Sequence, residues 1–159
     1  MSNKSKTNAL RMLDAASLAY VSREYSASEG FTSGSDIARQ ENLDPDSVFK
    51  TLVTVSGKND YFICVIPVDS KLNLKKAAAY FGVKKLEMLA SKELLGITGY
   101  IHGGCSPVGM KKLFPTVYDE TALLYESIYV SGGRIGLQIE ISPHVLAEFT
   151  KGGFEDITE

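Results

Sequence analysis

The chain has 159 residues, 44% of them hydrophobic and 23% charged, and a formal net charge of -2. That length and composition suit a globular protein with a real core, so residues 1–159 are expected to form a single domain. The charge excludes long-range attraction for nucleic acid, so contact with RNA needs a partner protein or a local basic patch. The candidate patches are Lys75-Lys76, Lys84-Lys85 and Lys111-Lys112, each of which reads equally as a solvated face.

Residues 1–7 are polar and carry no apolar signal core, and no apolar run approaches a membrane span. The expectation is a cytoplasmic protein with no membrane partner. The two cysteines, Cys64 and Cys105, make no secreted disulfide framework. No metal-ligand spacing occurs, so neither a metal nor another cofactor is expected.

Thr7 is placed to cap a first helix running to about residue 19, with Leu10, Leu13 and Ser17 on one side. Residues 19–25 alternate like a strand that ends near Tyr25. A small-residue loop over 26–34 and a short helix over 35–40 follow, and Asp44-Pro45 reads as the cap and first-turn proline of another helix. Residues 48–55 and 61–67, joined by a turn, form the clearest hairpin, with Lys50 at its entrance. Asn73 caps a helix over 74–81 that Gly82 stops, with Ala77, Ala78 and Phe81 inward. A short strand is expected within 83–88, then a short helix capped by Ser91 and ending at Gly96. Strands over 116–119, 127–131 and 135–141 come next, the last two joined by Gly132-Gly133. Ser142-Pro143 opens a final helix cut by Gly152-Gly153. This irregular mixture predicts a mixed α/β fold: a mixed sheet or small barrel with packed helices.

The stretch Gly103-Gly104-Cys105-Ser106-Pro107-Val108-Gly109 carries the strongest local signal. Three glycines allow close approach to the main chain, and Pro107 stiffens the loop and holds Ser106 extended. A pocket of backbone N–H groups for an oxygen or phosphate is built this way, and so is a tight structural turn. Gly104 and Gly109 have P-loop spacing, but Met110 and Lys111 stand where that motif needs Lys and then Ser or Thr, which excludes an NTPase of that kind. Cys105 with His102 suggests a thiol hydrolase, although adjacent loop positions guarantee no contact between thiol and base.

Three motifs stand together in order: Phe49-Lys50-Thr51-Leu52; Thr98-Gly99-Tyr100 with Gly103-Gly104, Ser106-Pro107, Gly109 and Lys111-Lys112; and Ile128-Tyr129-Val130-Ser131-Gly132-Gly133 with Gly136-Leu137, Ile139 and Glu140. In this order and spacing the chain resembles the YbaK/EbsC family, stand-alone relatives of the editing domain of bacterial prolyl-tRNA synthetases. The resemblance spans nearly the whole chain and implies a mixed, barrel-like sheet flanked by helices. It implies hydrolysis of mischarged aminoacyl-tRNA, above all Cys-tRNA(Pro), with tRNA(Pro) and prolyl-tRNA synthetase as partners. A non-catalytic module binding aminoacyl-tRNA or adenosine, or a deacylase for Ala-tRNA(Pro), would share the fold.

By this resemblance Lys50 is the residue on which activity depends, and Tyr25 is a pocket tyrosine. Gly103, Gly104 and Ser106 belong to the loop that holds the terminal adenosine and the ester, and Ser131 lines the pocket. Gln138 stands where a family member carries aspartate, keeping hydrogen bonding but not charge. The family picture needs no enzyme nucleophile, because the substrate cysteine thiol attacks its own carbonyl and leaves as a thiolactone.

Overall fold

The computed structural model describes residues 6–25 and 42–159. The loop expected over 26–34 and the helix expected over 35–40 lie outside the described residues.

Helix α1 (Asn8–Ala15) begins where Thr7 predicts, its hydroxyl accepting the Leu10 amide. It ends four residues sooner than expected, because Ser17 turns left-handed (φ 58°) and the Leu18 amide closes on the Leu13 carbonyl at 3.0 Å. That is a helix stop built without glycine. Strand β1 (Val21–Glu24) follows. Asp44 caps Pro45–Ser47 as expected, but the segment makes a single 3-10 turn and runs straight into the next strand.

The hairpin forms as expected from β2 (Phe49–Ser56) and β3 (Asp60–Pro67), paired from Phe49 with Pro67 to Ser56 with Asp60. Helix α2 (Leu74–Phe81) has the predicted Asn73 cap and a left-handed Gly82 stop. Of the strand expected within 83–88, only β4 (Glu87–Met88) pairs, on β2. Helix α3 (Ser91–Thr98) runs past Gly96 and ends at Gly99 (φ 90°); its N-cap is Ala90, with no side-chain bond. Strands β5 (Thr116–Asp119), β6 (Ile128–Ser131) and β7 (Leu137–Ile141) follow, with a 3-10 turn over Glu120–Leu124 between the first two. Strand β7 starts later than the alternation suggests because Gly136 (φ 92°) still belongs to the turn. Helix α4 (Pro143–Thr150) is capped by Ser142 and stopped by a left-handed Lys151, and an unforeseen strand β8 (Gly153–Glu155) ends the order.

The strands form two sheets, β1-β7-β6 and β4-β2-β3-β5-β8. The first is antiparallel throughout, while β3 with β5 and β5 with β8 are parallel pairs in the second. A lone parallel bridge between Val48 and Tyr129 links them. Among the described residues the expected barrel is therefore not closed: the fold is an antiparallel sheet joined to a mixed one, with helices.

The alternation of β6 and β7 sends Ile128, Val130, Leu137, Ile139 and Ile141 into the main core. They meet Phe49, Val53, Ile63, Val65 and Tyr118 of the larger sheet, with α1 and α4 closing the sides. Each fully buried aliphatic side chain contributes about 1.5–3 kcal/mol. A second core under α2 packs Cys64, Ile66 and Val117 against Ala77, Ala78 and Ile157. No helix among the described residues is long and apolar enough to cross a membrane.

Candidate functional site

With the core face of the small sheet fixed by its aliphatic residues, the alternate residues form the opposite face. Register then places Ser131 beside Gln138, and Gln138 beside Arg23. In the next row Tyr129 pairs with Glu140, and Glu140 with Val21. The parallel Val48–Tyr129 bridge joins β2 to β6, with Lys50 two residues past Val48 and Ser131 two residues past Tyr129. Ser131, Gln138 and Arg23 thus form one row across β6, β7 and β1, and Lys50 lies on β2 two residues past the bridge. Tyr25 extends the same face, its amide donating to the Gly136 carbonyl at 2.9 Å. Strand register brings Ser131 and Gln138 together, Tyr25 follows the end of β1, and Lys50 lies on β2 near the bridge.

Each of these groups has a distinct environment. Lys50 is half-buried, and burial lowers its pKa from the usual lysine value while the charge of Asp69 works against that shift. Burial raises the Tyr25 phenol, a backbone contact with Gly136 opposing it. Gln138 is buried, with 5% of its surface exposed. The Ser131 hydroxyl accepts the Gly133 amide at 3.1 Å, which folds the β6–β7 turn back over the strand end. Next to Gln138, Arg23 donates to Glu140 through Nη2 at 3.0 Å and Nε at 3.3 Å, and its guanidinium lies 5.9 Å from the Tyr129 ring centre.

The glycine loop lies against that turn. A Cβ on Gly104 would sit 2.9 Å from Arg134 Cα and 3.0 Å from the Ile135 nitrogen, so the two main chains touch. Gly103 is exposed and left-handed (φ 87°), whereas Gly104 is buried. Ser106 is fully buried and its hydroxyl accepts the Val108 amide at 3.2 Å. Among the described residues the amides of Cys105 and Ser106 meet no hydrogen-bond acceptor. Buried N–H groups are rarely left unpaired, so two in succession point to a donor site.

Sequence reasoning missed the groups that hold the loop in place. The Tyr100 hydroxyl, buried, donates to the Val108 carbonyl at 2.6 Å. Asn8 Nδ2 donates to the Gly109 carbonyl at 2.8 Å, and the Thr7 hydroxyl donates to the Gly132 carbonyl while capping α1. Tyr100 was within a quoted motif; the bonds of Thr7 and Asn8 cross more than a hundred residues and leave no local signal. Arg23 carried only the alternation of its strand, while Glu140 stood in the third motif with no role assigned to it.

The thiol-hydrolase alternative finds little support in this arrangement. Cys105 is 7% exposed, and burial pushes its thiol up to about 12, a Thr98 contact opposing, so it is neutral at pH 7. His102 is exposed in the turn before it.

A family model for the aminoacyl-tRNA editing domain matches residues 28–149. The chain belongs to this family, in the YbaK/EbsC branch that its motifs resemble, and is by that membership an aminoacyl-tRNA deacylase. It is 45% identical over 153 residues to a protein of Enterococcus faecalis (strain ATCC 700802 / V583) named "Putative Cys-tRNA(Pro)/Cys-tRNA(Cys) deacylase EbsC", covering 96% of this chain and 93% of that one. Over 97 residues it is 29% identical to a proline--tRNA ligase of Thermosipho africanus, covering 61% of this chain and 17% of the ligase. Among solved structures, one described as "a putative trans-editing enzyme for prolyl tRNA synthetase" has a TM-score of 0.82 at 25% identity, covering 98% of this chain and 99% of that one. Another, hypothetical protein APE2540, has a TM-score of 0.87 at 24% identity, covers 96% and 99%, and shares the fold.

Proposed function

We propose that the chain removes wrongly attached cysteine from tRNA in trans, with Cys-tRNA(Pro) as its principal substrate. The Cys105 and Ser106 amides, which meet no acceptor among the described residues, carry the mechanism, in a loop packed against the turn that ends the Ser131–Gln138 row. The name of the Enterococcus relative supports the substrate class. An apolar pocket separates compact side chains such as proline and cysteine by only about 1–3 kcal/mol, so a synthetase selecting proline needs a second, hydrolytic site. The ligase relative supports prolyl-tRNA synthetase as the partner that supplies this substrate.

In the reaction the substrate thiol loses its proton to solvent and its sulfur attacks the ester carbonyl. Negative charge grows on the carbonyl oxygen, where the loop amides donate to it; one such donor is worth about 2.7–4 kcal/mol. The Lys50 ammonium stabilises the same charge. The C–O bond to the terminal ribose breaks, the ribose oxygen takes a proton, and cysteine thiolactone departs for water to open. Tyr25, Ser131 and Gln138 shape and hydrogen-bond the pocket. Gly103 gives the loop its turn, Gly104 lets it seat on the β6–β7 turn, and Ser106 holds it from behind.

Cys-tRNA(Pro), Cys-tRNA(Cys), Ala-tRNA(Pro) and Pro-tRNA(Pro) should be compared for loss of ester. The reading expects rapid loss of the cysteinyl esters and survival of Pro-tRNA(Pro). Equal survival of all four, with tRNA still bound, would leave a binding module of the same fold.

A further inference from the structure

From Glu93 to Asp119 the sequence holds no acidic residue, although the chain has 19 in all. That interval contains the glycine loop, His102 and the pair Lys111-Lys112. The other two lysine pairs are each tied to a carboxylate: Lys76 to Asp156 at 2.9 Å, and Lys85 to Glu87 at 3.2 Å. Lys111 instead packs along Gly99 and donates from Nζ to the Gly96 carbonyl at 3.1 Å, in the last turn of α3. Its amide bonds the Thr98 carbonyl at 3.1 Å, which fixes the pair beside the helix end. Lys112 is exposed and has no carboxylate partner among the described residues. In a chain of net charge -2 this is a local positive strip, and it lies directly after the glycine loop in the sequence.

We propose that Lys111 and Lys112 form the strip that holds the sugar–phosphate backbone of the tRNA acceptor end while its 3′ terminus enters the glycine loop. The assignment rests on the deacylase reading. Lysines on phosphates add affinity without reading sequence, and they make binding dependent on salt. The strip therefore grips any acceptor end, and choice among tRNAs comes from the pocket and from the partner synthetase.

The test compares two substrates: full-length Cys-tRNA(Pro), and 3′-O-cysteinyl-adenosine, which has the ester but no phosphate. For Lys112→Gln we expect KM for the tRNA to rise about three- to tenfold near physiological salt with kcat kept. The slope of log affinity against log salt should fall by about one. Hydrolysis of cysteinyl-adenosine should not change. Lys111→Gln with Lys112→Gln should deepen the tRNA effect, and Lys75→Gln should leave it unaltered. Equal loss on both substrates would overturn the strip in favour of a disturbed loop. An unchanged salt slope, or an equal effect from Lys75→Gln, would overturn it as well. Wild-type protein inert toward both esters would instead defeat the deacylase reading. The strip would then stand or fall on the salt slope of uncharged tRNA binding in the same variants.

Discussion

Lys50, proposed above to act on the ester, sits against the preferences of its surroundings. It pairs with Ile66 inside an apolar hairpin, and burial lowers its pKa while Asp69 partly restores it. Because its folded pKa lies below the unfolded value, protonated Lys50 disfavours the fold at neutral pH, and this cost fades as pH rises through the folded pKa. Lys50→Met should therefore match or exceed the wild-type melting temperature at pH 7 while losing nearly all deacylation, a trade of stability for activity. A variant that melts normally and keeps wild-type rates would remove Lys50 from the mechanism. The pH profile gives a second check. Charged Lys50 is lost as pH rises, so activity should decline below the ordinary lysine value of about 10.4. Lys50→Arg, which stays charged, should move that alkaline limb upward, and a limb that stays in place would belong to another group. The local pattern showed Lys50 only as a charge opening an apolar run, and it was the motif resemblance that singled it out. Ser131 and Gln138 were named by the same resemblance, but their side-by-side placement needed strand register, which no local pattern supplies.

Helix starts were largely legible in the chain, because Thr7, Asn73 and Ser142 cap through short-range bonds. Helix ends were less so: Ser17 and Lys151 take left-handed conformations usually left to glycine, and Gly96 lies within a helix that stops at Gly99. Strand β8 escaped notice because three residues show no alternation and its partner β5 is distant. The glycine loop was recognisable as a motif, but the role of each glycine required the fold. Gly104 has no unusual backbone angle; it is small because the β6–β7 turn touches it. Gly104→Val should thus lose both activity and thermal stability, since the Arg134–Ile135 backbone would have to move. Full activity with unchanged melting would refute that contact. Tyr100→Phe should cost about 1–3 kcal/mol in chemical denaturation by leaving the buried Val108 carbonyl unpaired, and should slow deacylation through a looser loop. If neither quantity changes, Tyr100 does not position the loop.

At the scale of the whole molecule, one bridge among the described residues joins the two sheets, and the proposed site lies near that junction. The aliphatic alternation fixes which face of β6 and β7 is core, so the polar row is left on the other face without any dedicated motif. The mixed α/β class was therefore legible, whereas open sheets rather than a barrel depend on contacts between β2 and β6 that composition cannot encode. Apart from the lysine strip, the net charge of -2 offers no steering toward RNA. Binding to free tRNA should be weak and salt-sensitive, and it should tighten when prolyl-tRNA synthetase is added; binding assays at two salt concentrations test this. Tight tRNA(Pro)-specific binding by the chain alone would contradict it.

The most direct test of the account is mass spectrometry of the quenched reaction on Cys-tRNA(Pro) and Ser-tRNA(Pro), with wild-type protein and Cys105→Ala. The account predicts cysteine thiolactone, or its trapped derivative, at early times, far slower release of serine, and most activity kept in Cys105→Ala. Free cysteine alone at early times, with activity lost in Cys105→Ala, would contradict it and assign the attack to the enzyme's own thiol.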